Sequence, residues 1–231
     1  MNRVLQAARL HFVHPLIGLA MPWLIVGLSF LINLAVWRLT PAGADDGGFT
    51  GGISALYITL MIGYVQSVTQ LLPLAMGMSL SRRSFYLGTA LVALVEALVY
   101  GIGVSVLASI EGATGGWGVD MGFWAPGLMD VDNPALQVLV SGTPVLLFAS
   151  IGIGLGVVSK RWGPSGVWGL TIASTVLFGG LAILITWLDA WRSIGTWFAD
   201  QSVTTLAVGL PAAVAVAVAA VSFAGIRRVV P

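Results

Sequence analysis

The sequence predicts an all-α integral membrane protein with six transmembrane helices, an N-terminal amphipathic helix and both termini in the cytoplasm. The first observation is composition: of 231 residues, 58% are hydrophobic and only 8% are charged, whereas a soluble domain carries about 25% charged residues. The second is the mean hydropathy of +0.98. So few charges cannot cover a water-exposed surface, which excludes a soluble globular domain and a disordered chain.

Six apolar stretches are long enough to cross a hydrocarbon core of about 30 Å, which takes roughly 20 residues of helix. Helical lengths without ten-residue alternation argue against a β-barrel. Residues 1–15 form an amphipathic segment, with Arg3 and Arg9 opposite an apolar face, and residues 16–231 form the transmembrane domain. The predicted spans are 16–37, 53–79, 85–108, 136–158, 166–187 and 203–224.

The charges predict the orientation of these spans. Eight of the ten basic residues lie in the two tails and the connections on one side, and the acids of the tails and connections lie on the other. Basic residues stay in the cytoplasm, so both termini are expected there. The basic side holds Arg3, Arg9, Arg82, Arg83, Lys160, Arg161, Arg227 and Arg228; the other holds Asp45, Asp46, Glu111, Asp120, Asp130, Asp132, Asp189 and Asp200, with Arg38 and Arg192.

Only one ionisable residue, Glu96, falls within the predicted spans. Ionisable groups inside a membrane are costly and point to function. The second span offers it a polar stripe at helical spacing, which consists of Thr59, Gly63, Gln66 and Gln70. Three interpretations remain open: a protonated Glu96 hydrogen-bonded to Gln66 or Gln70 as interhelical glue, a residue lining a substrate path, or a proton relay.

The residue inventory excludes most catalytic chemistry. Without cysteine there is no disulfide, thiolate metal site or cysteine nucleophile, and the only histidines are His11 and His14, before the first span. Residues 154–160 are the nearest match to a P-loop but have the wrong spacing. A net charge of +1 gives no basic surface for nucleic acid. We therefore expect neither enzymatic activity nor a cofactor in this chain, and no nucleic-acid partner.

The sequence also makes predictions about the outer connections, the packing of the helices and the location of the protein. Residues 109–135 are expected to form a surface loop at the bilayer interface or an outer gate, and residues 188–202 a short interfacial helix. Most tryptophans are expected in interfacial belts. Gly152 and Gly156 form a Gly-x-x-x-Gly motif that favours close helix packing, within one subunit or between two. One lysine against nine arginines, with abundant Ala, Gly and Val, is typical of a high-GC bacterial gene, so the expected location is the bacterial cell membrane.

The turn between the second and third spans carries a recognisable pattern. Residues 73–89 read PLAMGMSLSRRSFYLGT, which resembles the corresponding turn of ABC-2-type transporter permeases, where the pattern is roughly Gly-x-Ser-Arg-Arg-x-Phe-x-x-Gly. The whole plan is also similar: an amphipathic N-terminal helix, six spans and an aromatic segment before the last span. The long 109–135 loop departs from the simplest members of that family.

The resemblance implies a membrane-spanning permease subunit of an ATP-driven exporter for an amphiphilic or lipid-like substrate, in contact with membrane lipid. A separate ABC ATPase subunit would bind ATP and magnesium, and a second copy or a related permease would complete the transporter. The residues implied in ATPase coupling are Ser81, Arg82, Arg83, Ser84, Phe85 and Tyr86, with Arg3 and Arg9 nearby. The alternatives are a non-transporting membrane scaffold and, third, a proton-coupled secondary transporter that uses Glu96.

Overall fold

The protein is almost entirely helical, as predicted for an all-α membrane protein. The computed structural model describes residues 3–12, 15–40 and 48–227, so His14, Asp45, Asp46 and Arg228 lie outside the described residues. Within those ranges, five helical stretches are long and apolar enough to cross a membrane. They are Gly18–Leu39, Ser54–Gly77, Arg82–Ala113, Pro134–Trp187 and Thr205–Ile226.

Eight helices and two short strands make up the described part of the chain, apart from the 3-10 and π-helical segments. Helix α1 (Arg3–Arg9) runs into one 3-10 turn (Leu10–Phe12), and α2 (Pro15–Leu39), α3 (Ser54–Gln66), α4 (Leu72–Gly77) and α5 (Arg82–Ala113) follow. Then come α6 (Pro134–Trp187), α7 (Trp191–Ala199) and α8 (Leu210–Ile226). Strands β1 (Gly48–Phe49) and β2 (Met121–Gly122) pair in parallel. The short helix expected within residues 188–202 is therefore present as α7.

The 54-residue helix α6 is interrupted once, at Gly163, where φ is 65° and ψ is −159°. Pro164 follows, a residue that starts helices well because its missing N–H has no partner in a first turn. A Cβ at Gly166 would collide with the Cβ of Trp162, although residues four apart in a straight helix keep their Cβ atoms about 6 Å apart. The chain therefore turns sharply here, and we call residues 134–162 α6a and residues 164–187 α6b.

Two π-helical segments precede prolines. Ser67–Leu71 joins α3 to α4 ahead of Pro73, and Thr205–Gly209 leads into α8 ahead of Pro211. A proline has no N–H for the carbonyl four residues earlier, and its ring crowds that carbonyl. A wider helical turn at each site relieves this clash, and such turns are frequent at functional sites.

Helix α6a packs against α3, α5 and α8 through glycines. A Cβ at Gly101 of α5 would lie 3.0 Å from the Cα of Gly142, and a Cβ at Gly142 would lie 2.6 Å from the Ala97 carbonyl oxygen. Gly152 meets the Met61 carbonyl in the same way, and Gly156 meets Val68. The Gly-x-x-x-Gly motif thus packs helices within this chain.

The 109–135 segment forms a packed cap at one end of the helices. Helix α5 extends to Ala113, and the Glu111 side chain, only 7% exposed, accepts hydrogen bonds from the segment that follows. Its donors are Trp117 Nε1 (3.0 Å), the Phe123 N–H (2.9 Å) and the Trp124 N–H (3.2 Å). The rings of Trp117, Phe123 and Trp124 pack on Phe30 of α2. These three aromatic residues are therefore part of the folded interior rather than of a loose surface loop.

Helix contact at Gly142 is testable by adding one methyl group. Gly142→Ala should lower the free energy of unfolding by about 1–3 kcal/mol, because the new Cβ overlaps backbone that cannot move freely. Thermal unfolding of the purified protein in detergent measures the change. Gly179→Ala is the matched control, since nothing lies within 4 Å of a Cβ there; equal unfolding temperatures for the two variants would contradict the packing described.

The contribution of the Glu111 carboxylate to the stability of the cap can be tested by substitution. Glu111→Ala should destabilise the protein by about 2–4 kcal/mol, because each buried N–H left without an acceptor costs about 1–3 kcal/mol. Thermal unfolding and the protease sensitivity of the 114–133 segment report the loss. Asp130→Asn, at an exposed acid in the same segment, should leave both unchanged; a Glu111 variant as stable and protease-resistant as the native protein would show that the carboxylate does not hold the cap.

Candidate functional site

A polar cavity of about 370 Å³ lies between α2, the α3–α4 segment and α5. The turn that follows α1 also contributes to its lining, through Leu10 and His11. The remaining apolar lining comes from Gly18, Pro22, Leu60, Gly63 and Leu71. Its polar side chains are those of His11, Thr59, Tyr64, Gln66, Ser67, Gln70 and Glu96. Glu96 and the three polar side chains predicted to lie near it, those of Thr59, Gln66 and Gln70, all line this cavity.

Glu96 has a different partner from the one predicted. Its carboxylate accepts a hydrogen bond of 2.6 Å from the hydroxyl group of Tyr64. Gln66 and Gln70 are exposed, and neither makes a side-chain hydrogen bond to Glu96. Of the three interpretations of Glu96, the one with a hydrogen bond to Gln66 or Gln70 is therefore not what the structure shows, because Tyr64 is the partner.

The rotation of α3 explains the change of partner. Residues Leu56, Leu60, Tyr64, Val68 and Leu72 recur every four positions and are all buried. Buried tyrosine hydroxyl groups usually have a hydrogen-bond partner, and Glu96 on the neighbouring helix supplies one to Tyr64. The four-residue apolar spacing with a tyrosine inside it is the sequence signal that could have identified this pair.

The π-helical segment shapes one wall of the cavity. Ser67 and Gln70 lie within Ser67–Leu71, and Gln66 immediately precedes it. The Thr59 hydroxyl group already has a partner within α3, because it donates to the Ala55 carbonyl oxygen at 2.7 Å. The amide groups of Gln66 and Gln70 are therefore the adaptable polar groups of this wall.

Helix α1 is held against α5 at a glycine, and the turn that follows α1 lines one side of the cavity. A Cβ at Gly88 of α5 would lie 2.8 Å from both the Ala7 Cβ and the Ala8 nitrogen, so α1 lies directly on α5. This contact places His11 at the cavity, with its ring stacked 6.0 Å from the Phe85 ring. Neither ring nitrogen of His11 makes a hydrogen bond of good geometry.

Burial lowers the pKa of the His11 imidazole below its ordinary value of 6.5, because removal from water penalises the charged form. The carbonyl groups of Ala7 and Ala8 act in the opposite direction but do not reverse the shift. His11 is therefore neutral at pH 7, with one ring nitrogen a donor and the other an acceptor.

The turn between α4 and α5 lies beside α1. Ser81 caps α5 by accepting a hydrogen bond from the Ser84 N–H at 3.1 Å, and its hydroxyl also pairs with that of Ser84 at 2.9 Å. Arg83 is exposed, whereas Arg82 is partly buried and donates to the Arg227 carbonyl oxygen at 3.3 Å. Arg3 and Arg9 are exposed on α1.

Phe85 and Tyr86 do not share this exposed surface. They are 1% and 5% exposed, and the Tyr86 hydroxyl donates to the Ala219 carbonyl oxygen at 2.7 Å, on α8. The turn therefore presents Ser81, Arg82, Arg83 and Ser84, while Phe85 and Tyr86 anchor it to the helices behind. The expectation that these two aromatic side chains face a partner is corrected accordingly.

Comparison with protein-family models, curated proteins and solved structures finds no match. Across the described residues, no group of three or more His, Asp or Glu could hold a metal ion. A functional assignment for this chain therefore depends on its sequence pattern and on the geometry of the cavity and the turn.

The burial of His11 predicts that the stability of the protein depends on pH. Because its folded-state pKa lies below the unfolded value, the stability it contributes is present above pH 6.5 and is lost as pH falls from there towards the folded pKa. The unfolding temperature of the native protein should therefore fall more between pH 7.5 and pH 5 than that of His11→Asn, measured in the same detergent. Parallel pH profiles for the two proteins would contradict a buried, neutral His11.

Proposed function

We propose that the chain is the membrane-spanning permease subunit of an ATP-driven ABC exporter, with ATP and magnesium bound by a separate ATPase subunit. The observation that carries this proposal is the turn that begins α5. It presents Arg82 and Arg83 on a serine-capped helix end, next to a surface helix that carries Arg3 and Arg9. A rigid basic helix end beside a second basic helix is suited to docking on a partner protein.

Six crossings with both termini in the cytoplasm of a bacterial cell fit this function. A straight 54-residue helix would be about 81 Å long, far more than a membrane of about 30 Å accommodates. The break at Gly163 supports two membrane crossings within α6, one by α6a and one by α6b. With the four other membrane-length stretches, this gives six spans. Lys160 and Arg161 lie next to that break, where the positive-inside rule expects a cytoplasmic turn.

A second copy of the chain, or a related permease, is part of the proposal. No residue of α6b is buried within this chain, and Val176, Leu177 and Phe178 are each at least 67% exposed. A helix that is apolar on all sides faces lipid or another protein. An additional subunit would cover part of this surface.

The proposed cargo is amphiphilic or lipid-like. An apolar groove of about 710 Å³ lies between α6a, α6b and α8, with Arg161 at one end. The Arg161 guanidinium group lies 4.3 Å from the centre of the Trp162 ring. Long apolar surfaces with an isolated polar end are suited to molecules of the same character.

The first experiment asks whether an ATPase accompanies the chain. We expect the tagged protein, purified from its native host in a mild detergent, to retain an ATPase subunit in near-stoichiometric amount and to show vanadate-sensitive ATP hydrolysis. A known transporter complex purified in parallel establishes that the detergent preserves such contacts. Recovery of the chain without an ATPase under those conditions would refute the permease proposal in favour of a scaffold or a secondary transporter.

The turn itself is tested by charge reversal. Arg83→Glu should reduce the co-purifying ATP hydrolysis at least tenfold, because it places a negative charge on the docking surface, while membrane insertion stays intact. Arg192→Glu is the control, since that arginine is also exposed but lies on α7, in the connection predicted to be on the opposite side. Unchanged hydrolysis in the Arg83 variant would show that this turn does not dock the ATPase.

A further inference from the structure

We propose that the polar cavity is a binding site for an amphiphilic organic cation, with Glu96 as the counter-ion. The cavity has the size of a small-molecule site, since such sites span about 300–1,000 Å³. It combines one carboxylate with hydrogen-bonding amides and an apolar wall. The steps below follow from the charges, the free polar atoms and the way the cavity is closed.

The charge of the lining selects a cation. Glu96 supplies a carboxylate, and the described lining contains no lysine or arginine. His11 is the only basic group there, and its burial keeps it neutral at pH 7. A carboxylate at this depth needs a proton or a cationic partner, because an uncompensated charge in a membrane is costly. A bound organic cation supplies that compensation.

Free polar atoms surround the carboxylate. Tyr64 donates to one oxygen of Glu96, Oε2, which leaves Oε1 as an acceptor. Neither ring nitrogen of His11 makes a hydrogen bond of good geometry, although the Ala7 and Ala8 carbonyl groups lie close to the ring. Unpaired buried polar atoms cost free energy unless a ligand or water satisfies them. A ligand that carries a cationic head beside Glu96 would satisfy the free carboxylate oxygen.

The apolar lining of the cavity and the contacts that close it beyond Glu96 indicate the shape of the rest of the ligand. Pro22, Leu60 and Leu71 face the cavity and suit an apolar body. One helical turn beyond Glu96, the Tyr100 hydroxyl donates to the Leu19 carbonyl oxygen at 3.2 Å, and the Trp23 ring packs 5.4 Å from the Tyr100 ring. These contacts join α2 to α5 beyond Glu96, on the side away from α1. The ligand therefore enters from the α1 side or between the helices.

Binding of tetraphenylphosphonium to the purified full-length chain tests the proposal, with tetraphenylborate as an anion of the same shape. We expect the native protein to bind the phosphonium ion in preference to the borate, and Glu96→Gln to weaken phosphonium binding at least tenfold. The glutamine side chain keeps the shape and an acceptor for Tyr64. Asp200→Asn, at an exposed acid outside the cavity, should bind as the native protein does.

A second variant keeps the test decisive if Glu96→Gln fails to fold. Gln66→Lys adds a positive charge at an exposed position of the lining, and it should reverse the preference from phosphonium to borate. The proposal is overturned if the native protein binds no phosphonium, binds borate as tightly, or shows the same preference in the Gln66 variant.

The interpretation of this ligand as a transported substrate rests on the proposed function. The binding measurement itself needs no ATPase. Glu96-dependent phosphonium binding without a co-purifying ATPase would uphold the site and refute the permease. An ATPase-bound chain whose phosphonium affinity ignores Glu96 would uphold the permease and refute the site.

Discussion

The structure depends on the close contact that glycines allow between α6a and its neighbours. In a membrane the lipid tails are as apolar as leucine, so helices associate through packing and hydrogen bonds rather than through exclusion of water. Gly142 lets α5 approach backbone to backbone, and Gly152 and Gly156 do the same for α3. Gly154 faces Val218 and Ser222 of α8. One helix thereby fixes the positions and rotations of three others.

The same glycines explain why a cavity survives on the other side of α3 and α5. Contacts with α6a direct Leu60, Tyr64 and Val68 of α3 inward, which turns Gly63 and Gln66 towards α2. There the packing is loose: a Cβ at Gly63, or at Gly18 of α2, would meet nothing within 4 Å. Tight packing on one face and open space on the other place the Glu96 carboxylate beside a cavity rather than in a closed core.

Hydropathy and charge predict much of this fold because they act through the membrane itself. The five stretches long and apolar enough to cross a membrane begin and end within about five residues of the predicted spans, except that Pro134–Trp187 covers two predicted spans, and Ser81 caps α5 immediately before Arg82. Contacts between helices are less predictable, because one helix rotation decides whether Tyr64 or Gln66 reaches Glu96. Glu111 illustrates the same point: its acidic character suggested an outer surface, whereas the backbone N–H groups of Phe123 and Trp124 make it an interior acceptor.

The two ends of the helix assembly differ in how the space between α2 and α5 is filled. At one end, Glu111 fixes the cap, and the rings of Trp23, Phe30 and Trp124 fill the space between α2 and the cap. Below it, the contact of Trp23 with Tyr100 closes α2 on α5 directly beyond Glu96. The polar cavity lies on the α1 side of this barrier, where His11 and Gln70 contribute to its lining. In the proposed permease, outward movement of a ligand from the cavity would require separation of Trp23 from Tyr100, and α5 runs from that contact to the turn proposed to dock the ATPase.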